Sequence, residues 1–235
     1  MRPVYYPQLN STYGVDGNVL TQTVVFLAPV AAVATGVAAS QGPVTGGASF
    51  TLNGSLVVNG VAIMDVARQV IITSAGNDSG ITFTITGTNW FGVPISEVLT
   101  GANIGVATSV NSYKTVTKIV ANSTTASTVT AGTNGIASSP PIVQSLGSGS
   151  NASLFVQVTG TVNYSVFQTF DNPFVANPDA ACVWVAVVAG LTAQTANATA
   201  TISQPAMAYK LVINSNTAPG GAQIRLVPNV SIVAV

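Results

Sequence analysis

Apolar and polar residues alternate along most of this chain, and Asn, Gly and Pro interrupt the alternation at short intervals. The alternating runs are rich in Thr, Val and Ile, which suit a pleated, half-buried strand. Two Asn-Gly pairs, Asn53-Gly54 and Asn59-Gly60, have the composition that type I′ hairpin turns require. Because no segment has a convincing helical period, the sequence predicts an all-β protein.

The same runs predict individual strands and the connections between them. In the first half of the chain we expect strands at 69–73, 81–86, 95–100 and 113–121. The segment 101–112 is predicted to be a loop between the last two of these strands. In the second half, 153–170 is typical of strand, turn and strand, and 216–221 is typical of a hairpin loop that pairs the last two strands. Strands that recur about every 8 to 12 residues favour a sandwich, jelly-roll or barrel.

Turn-rich and low-complexity segments divide the chain into parts. We predict an extended arm over 1–22, a β-sandwich or jelly-roll-like domain over 23–136, a linker over 137–150 and a second β domain over 151–235. The linker combines a Pro-Pro pair with a Gly/Ser run and has no periodic pattern. The expected fold is therefore two antiparallel β units preceded by an arm.

The arm contains Pro3 and Pro7 on either side of two adjacent tyrosines, Tyr5 and Tyr6. Proline fixes φ and lacks an amide donor, while tyrosine offers a large contact area with a polar tip. Such a segment gains most by docking on a neighbouring subunit. The alternative is a frayed chain end, and the residues do not decide between the two.

Charge is unusually scarce in this chain. Six basic and six acidic side chains give zero net charge, no histidine is present, and charged residues make up 5% of the total, against roughly 25% in an ordinary soluble domain. The basic residues are too dispersed to suggest a direct nucleic-acid partner, and we expect no membrane partner. Because a chargeless surface favours association, we predict a homo-oligomer, a dimer or a trimer.

The residue types that carry most enzyme chemistry are missing or isolated. Without histidine, the commonest general base and metal ligand is absent, and Cys182, in an apolar run, is typical of a buried packing thiol. Asp78, Asp171 and Asp179 lie in turn sequences, where we expect each carboxylate to cap local backbone amides. We therefore predict a protein that is not an enzyme, with no catalytic, cofactor-binding or metal-binding residues and no cofactor.

Trp90 and Phe91 lie together on the turn predicted between two strands. Aromatic side chains are enriched in protein interfaces, so we interpret this pair as a subunit contact, together with Tyr5 and Tyr6. The alternative is a carbohydrate-binding module in which an exposed ring stacks on a sugar.

Two stretches, "ITSAGNDSGITFTITGTN" and "GVPISEVLTGAN", resemble a pattern that recurs in virion structural proteins of tailed bacteriophages. The later segments "VTGTVNYSVFQTFDNPF" and "PAMAYKLVINSNTAPGGAQIRLV" are similar to the second half of those proteins. The resemblance begins near Ser49 and leaves out the arm, and 176–201 is more apolar and less acidic than the pattern.

The resemblance implies a non-enzymatic capsid decoration or cement protein. Such a protein lies on the capsid exterior of the virion, and its partners are the major capsid protein and further copies of itself. A tail or fibre component is the alternative within the same group. The resemblance transfers no catalytic residues.

Overall fold

The structure is a computed structural model that describes residues 8–13, 19–143, 152–187, 190–202 and 206–228. The predicted all-β class is confirmed, since within these residues strands dominate and helix is limited to one four-residue turn. In chain order the elements are β1 (Gln8–Tyr13), β2 (Val19–Leu27), β3 (Ala38–Gln41), β4 (Val57–Val58), β5 (Val61–Asn77), β6 (Thr82–Thr88), β7 (Pro94–Thr100), β8 (Asn103–Ala121), β9 (Val129–Ser138), β10 (Ile142–Val143), β11 (Ala152–Thr169), α1 (Pro178–Ala181), β12 (Val185–Ala186), β13 (Ala198–Ile202) and β14 (Ala208–Pro228).

Backbone contacts group the chain into two compact units, each made of separate segments. The central unit combines Val30–Ser138 with Phe174–Ala181, and the terminal unit combines Met1–Pro29, Ser139–Pro173 and Cys182–Val235. The domains expected from the sequence are continuous ranges, whereas these units are not. The difference arises because β2 pairs with β14 near the other end of the chain, so the two ends contribute to one sheet.

In the central unit, antiparallel strands follow the order β9-β5-β8-β6-β7, and β3 and β4 add to β9 and β5. Apolar side chains from these strands form its core, and the ring of Phe50 packs edge-on against Phe83 with 5.8 Å between centroids. The largest side chains of this core include Met64, Ile72, Phe83, Ile85, Tyr113 and Ile119. Fully burying one large apolar side chain contributes about 1.5–3 kcal/mol to the stability of the fold.

One of the two predicted Asn-Gly hairpins is confirmed and the other is wrong. Asn59 and Gly60 have φ values of 52° and 78° and join β4 to β5 in a two-residue turn. Asn53 instead accepts a hydrogen bond from the amide of Ala39 (2.9 Å). A Cβ on Gly54 would overlap the carbonyl of Gly36, so this glycine permits a close approach of two backbone segments rather than a hairpin.

Most of the segment 101–112, which the sequence predicts as a loop, belongs to β8. Its pairing with β5 jumps from Gln69↔Ser112 to Ile71↔Thr108, so the residues between form a bulge. A bulge bends a strand without ending it, and the Ser and Asn residues that accommodate it also break the alternation. The prediction failed because a bulge and a loop have the same sequence signature.

In the terminal unit, β11 and β14 pair along almost their whole length. On the far edge of β14, β2 pairs through 222–226 and β1 continues the sheet as a hairpin with β2. The shorter strands β12 and β13 pair with β11, and β10 pairs with β14.

The arm expected over 1–22 is replaced in part by a hairpin, since residues 8–13 and 19–22 belong to β1 and β2. The alternation in 19–27 supplies a strand that pairs with the edge of β14. Tyr5 and Tyr6 lie outside the described residues.

The two hairpins predicted in the second half of the chain are wrong. Residues 153–169 belong to a single strand, β11, whose pairing with β14 shifts register around Gly160. This glycine has a φ of 70°, which lets the strand bulge and continue. Residues 216–221 likewise lie within β14. Each sequence that predicts a hairpin instead supplies one of two long strands, which pair with each other.

Gly87, in β6, leaves no room for a side chain. A Cβ there would overlap the carbonyl oxygen of Thr115, whereas a Cβ on Gly80 would meet open space. We expect Gly87→Ala to lower the free energy of unfolding by about 2 kcal/mol, because backbone atoms must move. We expect Gly80→Ala to change it by less than about 0.5 kcal/mol. Urea unfolding of both variants tests this, and equal losses would contradict it.

Three fully buried tyrosines predict a loss of stability at alkaline pH. Burial raises the pKa of Tyr113, Tyr164 and Tyr209 above the ordinary value. The unfolded chain ionises at about pH 10, so their contribution is complete below that pH and is lost as the pH rises toward the folded pKa. Burial lowers the pKa of Lys114, whose effect has the opposite sign.

We therefore expect the melting temperature to fall as the pH rises above about 10, because three buried tyrosines lose their contribution there and only one lysine acts in the opposite direction. Tyr164→Phe removes one ionising group and should make the fall shallower. Calorimetry across this range measures both effects. A melting temperature that stays constant would contradict the prediction.

Candidate interaction surface

The loop between β6 and β7 is held in one conformation by Asn89. The amide of Asn89 donates to the carbonyl of Val93 (3.0 Å), and the amide of Gly92 donates to the carbonyl of Asn89 (3.1 Å). The side-chain oxygen of Asn89 accepts from the amides of Phe91 (2.9 Å) and Val93 (3.1 Å). Gly92 has a φ of 75°, which closes the turn without steric cost. The loop is therefore rigid at its base.

A second segment, Phe174–Ala181, packs against the same unit, and we refer to it as the strap. The side-chain nitrogen of Asn89 donates to the carbonyl of Ala176 (3.2 Å). The carboxylate of Asp179 accepts from the amide of Ser112 on β8 (2.9 Å). These two bonds fix the strap to the loop and to the bulge of β8.

Loop and strap together present three aromatic rings, Trp90, Phe91 and Phe174, which we call the aromatic patch. The rings of Trp90 and Phe91 meet edge-on with 6.5 Å between centroids, and those of Phe91 and Phe174 are 6.2 Å apart. Phe91 is 49% exposed and Phe174 is 63% exposed, while the indole nitrogen of Trp90 donates to the carbonyl of Ser138 (2.9 Å). Exposed valines, Val93 and Val175, adjoin the patch in sequence.

The patch has the properties of an interface anchor. Large aromatic rings on a rigid base lose little conformational entropy on binding, and such residues dominate the binding energy of interfaces. A sugar site would combine a ring with polar groups that bind hydroxyls. Here the amide of Asn89 and the indole nitrogen of Trp90 are both engaged within the unit. The patch therefore suits an apolar protein surface better than a glycan.

Two of the four interface residues predicted from the sequence, Trp90 and Phe91, lie together in this patch. Phe174 was missed, because it follows a "DNP" turn that predicts only a change of direction. It lies far from Phe91 along the chain, and only the strap brings the two rings together. No periodicity or motif in the sequence could have found this contact.

The carboxylates of the described residues bind backbone amides. Glu97 accepts from the amides of Val110 (2.7 Å) and Asn111 (3.0 Å) and from the side chain of Asn111 (2.9 Å), so it holds the β8 bulge. Asp78 is fully buried and accepts from the amide of Ala126 (2.7 Å). Asp171 accepts from the amide of Val183 (2.7 Å).

The expectation that Asp78 and Asp171 cap local amides is therefore wrong, since their amide partners lie 48 and 12 residues away along the chain. Asp179 accepts from an amide 67 residues away. The local turn at Asp78 is made instead by Asn77, whose side-chain oxygen accepts from the amide of Ser79 (3.2 Å). The three aspartates join distant segments, which turn composition alone does not reveal.

An ion pair between the buried Arg68 and the partly exposed Asp65 anchors the start of the central unit. Arg68 is 1% exposed, and its guanidinium binds both carboxylate oxygens of Asp65 (2.8 and 2.9 Å) and the carbonyl of Val30. Asp65 in turn accepts from the amide of Val30 (2.7 Å). Burial by itself raises the pKa of Asp65, but the bonds from Arg68 and Val30 outweigh it and hold the pKa below its usual value. The pair thus fixes the backbone at Val30.

The thiol of Cys182 and the possible metal ligands were the remaining candidates for a reactive site. Cys182 is buried, as predicted, and its thiol lies 3.4 Å from the carbonyl of Asn172. Among the described residues, no three of His, Cys, Asp and Glu are grouped to hold a metal ion. In the same part of the chain, no helix has the length and apolar character needed to cross a membrane.

No protein-family model matches the chain, and no curated protein matches it.

Substitutions of Asn89 and of Phe91 should lower the free energy of unfolding by different amounts. Asn89→Ala removes bonds to three backbone groups in a buried position, so we expect it to lower the free energy of unfolding by about 2–3 kcal/mol. Phe91→Ser changes a half-exposed ring, and we expect a loss of less than about 1 kcal/mol. Urea unfolding measures both. A larger loss for Phe91→Ser would mean that the ring is part of the core.

Proposed function

We propose that this protein is a non-enzymatic virion structural protein, a capsid cement or decoration protein that bridges major capsid subunits on the outside of a phage head. The observation that carries the proposal is the aromatic patch, an apolar anchor that is rigidly held on a nearly chargeless all-β chain. The resemblance of 72–89 and 92–103 to virion proteins of tailed phages gives the class of assembly.

The patch would act by inserting Phe91 and Phe174 into apolar recesses that only assembled capsid subunits form. A protein that binds the assembled state alone stabilises it by mass action, and this opposes the outward pressure of packaged DNA. Because the chain has zero net charge and the patch is apolar, binding would depend little on ionic strength. A rigid patch suits this role, since no ordering cost is added when it binds.

In this proposal the two units are sandwich or jelly-roll-like modules, and several copies of the chain act together as a dimer or trimer. Multiple copies would multiply weak contacts into firm attachment.

A tail or fibre component is the second candidate within the same class, since the apolar patch would serve equally well in a ring or spike. A carbohydrate-binding module is less well supported, because the polar groups beside Trp90 are engaged within the protein. The two virion roles differ in the location of the protein on the particle.

We expect cryo-electron microscopy of intact particles to place density for this protein on the capsid exterior. Density confined to the tail would select the second candidate, and absence from the particle would refute both virion roles. The location does not depend on which residues form the contact, so this experiment tests the class of function alone.

Substitution of the patch tests the mechanism. We expect the double variant Phe91→Ser, Phe174→Ser to bind capsids at least about tenfold more weakly, because hot-spot aromatics each contribute a large share of the binding energy. Val58→Ser, which changes an exposed valine elsewhere in the central unit, is the matched control. Co-sedimentation with capsids at two salt concentrations measures the affinity. Equal binding by all three proteins would show that the patch is not the contact.

A further inference from the structure

Three Asn-Gly pairs occur in this chain, Asn53-Gly54, Asn59-Gly60 and Asn134-Gly135. Because glycine has no Cβ, its amide nitrogen can approach the side-chain carbonyl carbon of the preceding asparagine with little steric hindrance. Attack at that carbon converts asparagine to an acidic residue without an enzyme. The reaction needs a free side chain, a free amide and a backbone that can turn, so the fold decides which pair reacts.

The fold protects the pair Asn53-Gly54. The side-chain oxygen of Asn53 accepts from the amide of Ala39 (2.9 Å), and the amide of Gly54 donates to the carbonyl of Val37 (3.2 Å). Gly54 also lies so close to the carbonyl of Gly36 that a Cβ would overlap it. An amide that is bonded and packed against another backbone segment cannot turn toward the side chain of Asn53.

The pair Asn134-Gly135 lies within β9 and is also held in place. The side-chain nitrogen of Asn134 donates to the side-chain oxygen of Gln69 (3.0 Å), and its side-chain oxygen accepts from the amide of Ile136 (3.0 Å). On both sides of the pair, β9 continues its ladder with β5. Reaction here requires both side-chain bonds to break and part of a paired strand to open.

The pair Asn59-Gly60 has none of these restraints. Both residues are exposed, and a Cβ on Gly60 would meet no atom within 4 Å. Among the described residues, none forms a hydrogen bond with the side chain of Asn59. The turn adjoins β4, which contributes two residue pairs to its ladder with β5. So short a strand end opens at a small cost in free energy, and opening lets the backbone reach the geometry for attack.

We propose that Asn59 is a site of spontaneous deamidation in the folded protein. Hydroxide removes the amide proton of Gly60, and the nitrogen attacks Cγ of Asn59. The new bond joins this nitrogen to Cγ, the bond from Cγ to Nδ2 breaks, and Nδ2 takes a proton from water and leaves as ammonia. Water then opens the cyclic succinimide at either carbonyl, which gives aspartate or isoaspartate. The net reaction consumes one water and releases one ammonia.

The product changes both the charge and the turn. Each event adds one negative charge to a chain whose net charge is zero. In the intact turn Asn59 and Gly60 have φ values of 52° and 78°, as a two-residue type I′ hairpin requires. Isoaspartate inserts an extra carbon into this backbone, so the turn loses the geometry that pairs β4 with β5. The reaction involves the chain alone and is independent of the proposed capsid role.

Peptide mapping by mass spectrometry tests the proposal on the full-length chain, incubated folded at mildly alkaline pH. We expect Asn59 to deamidate at least about tenfold faster than Asn53 and Asn134, because local opening is easiest at its turn. The rate should rise with pH, since the nucleophile is the deprotonated amide. In urea the three pairs should react at similar rates, because the fold no longer distinguishes them. Equal rates in the folded chain, or a faster reaction at either other pair, would overturn the proposal.

Isoelectric focusing of variants gives a second measurement. The wild type should accumulate an acidic form with time, and Asn59→Gly should not, because a Gly-Gly pair keeps the turn without the reactive amide. Asn103→Ser, which removes an exposed asparagine followed by isoleucine, is the matched control and should accumulate the acidic form as the wild type does. An acidic form that develops equally in Asn59→Gly would contradict the assignment.

Discussion

Backbone amides at strand irregularities must find partners, and in this protein carboxylates supply several of them. A long antiparallel strand bends where its ladder is interrupted, and each interruption leaves amides unpaired. Glu97 satisfies two such amides at the bulge of β8, and Asp179 satisfies the next one, that of Ser112. A chain with so few charges thus places them where a neutral acceptor would bind the backbone less strongly.

The aromatic patch depends on the same constraint. Asp179 belongs to the strap, so the bond that satisfies Ser112 also positions Phe174 beside Phe91. Asn89 completes the arrangement by binding both its own loop and the strap. The rigidity that makes the patch a suitable anchor is therefore a consequence of how the backbone of β8 and the β6–β7 loop is satisfied.

The scarcity of charge bears on the surface proposed for binding. The aromatic patch offers no charge to a partner, so it would recognise shape and apolar area. An apolar surface on a neutral chain would favour indiscriminate association in a free monomer. Permanent assembly removes that hazard, which is why copies of the chain and a larger structure are the partners we propose.

The sequence alone determined the all-β class, the hairpin at Asn59-Gly60, the burial of Cys182 and the pairing of Trp90 with Phe91 on a turn. These follow from short-range chemistry: alternation, turn residues and adjacency. Tertiary structure decided that 103–112 and 153–169 belong to bulged strands, that the aspartates bind distant amides and that Phe174 joins the patch. Bulges and loops contain the same residues, and contacts between distant segments depend on strand register, which no local pattern records.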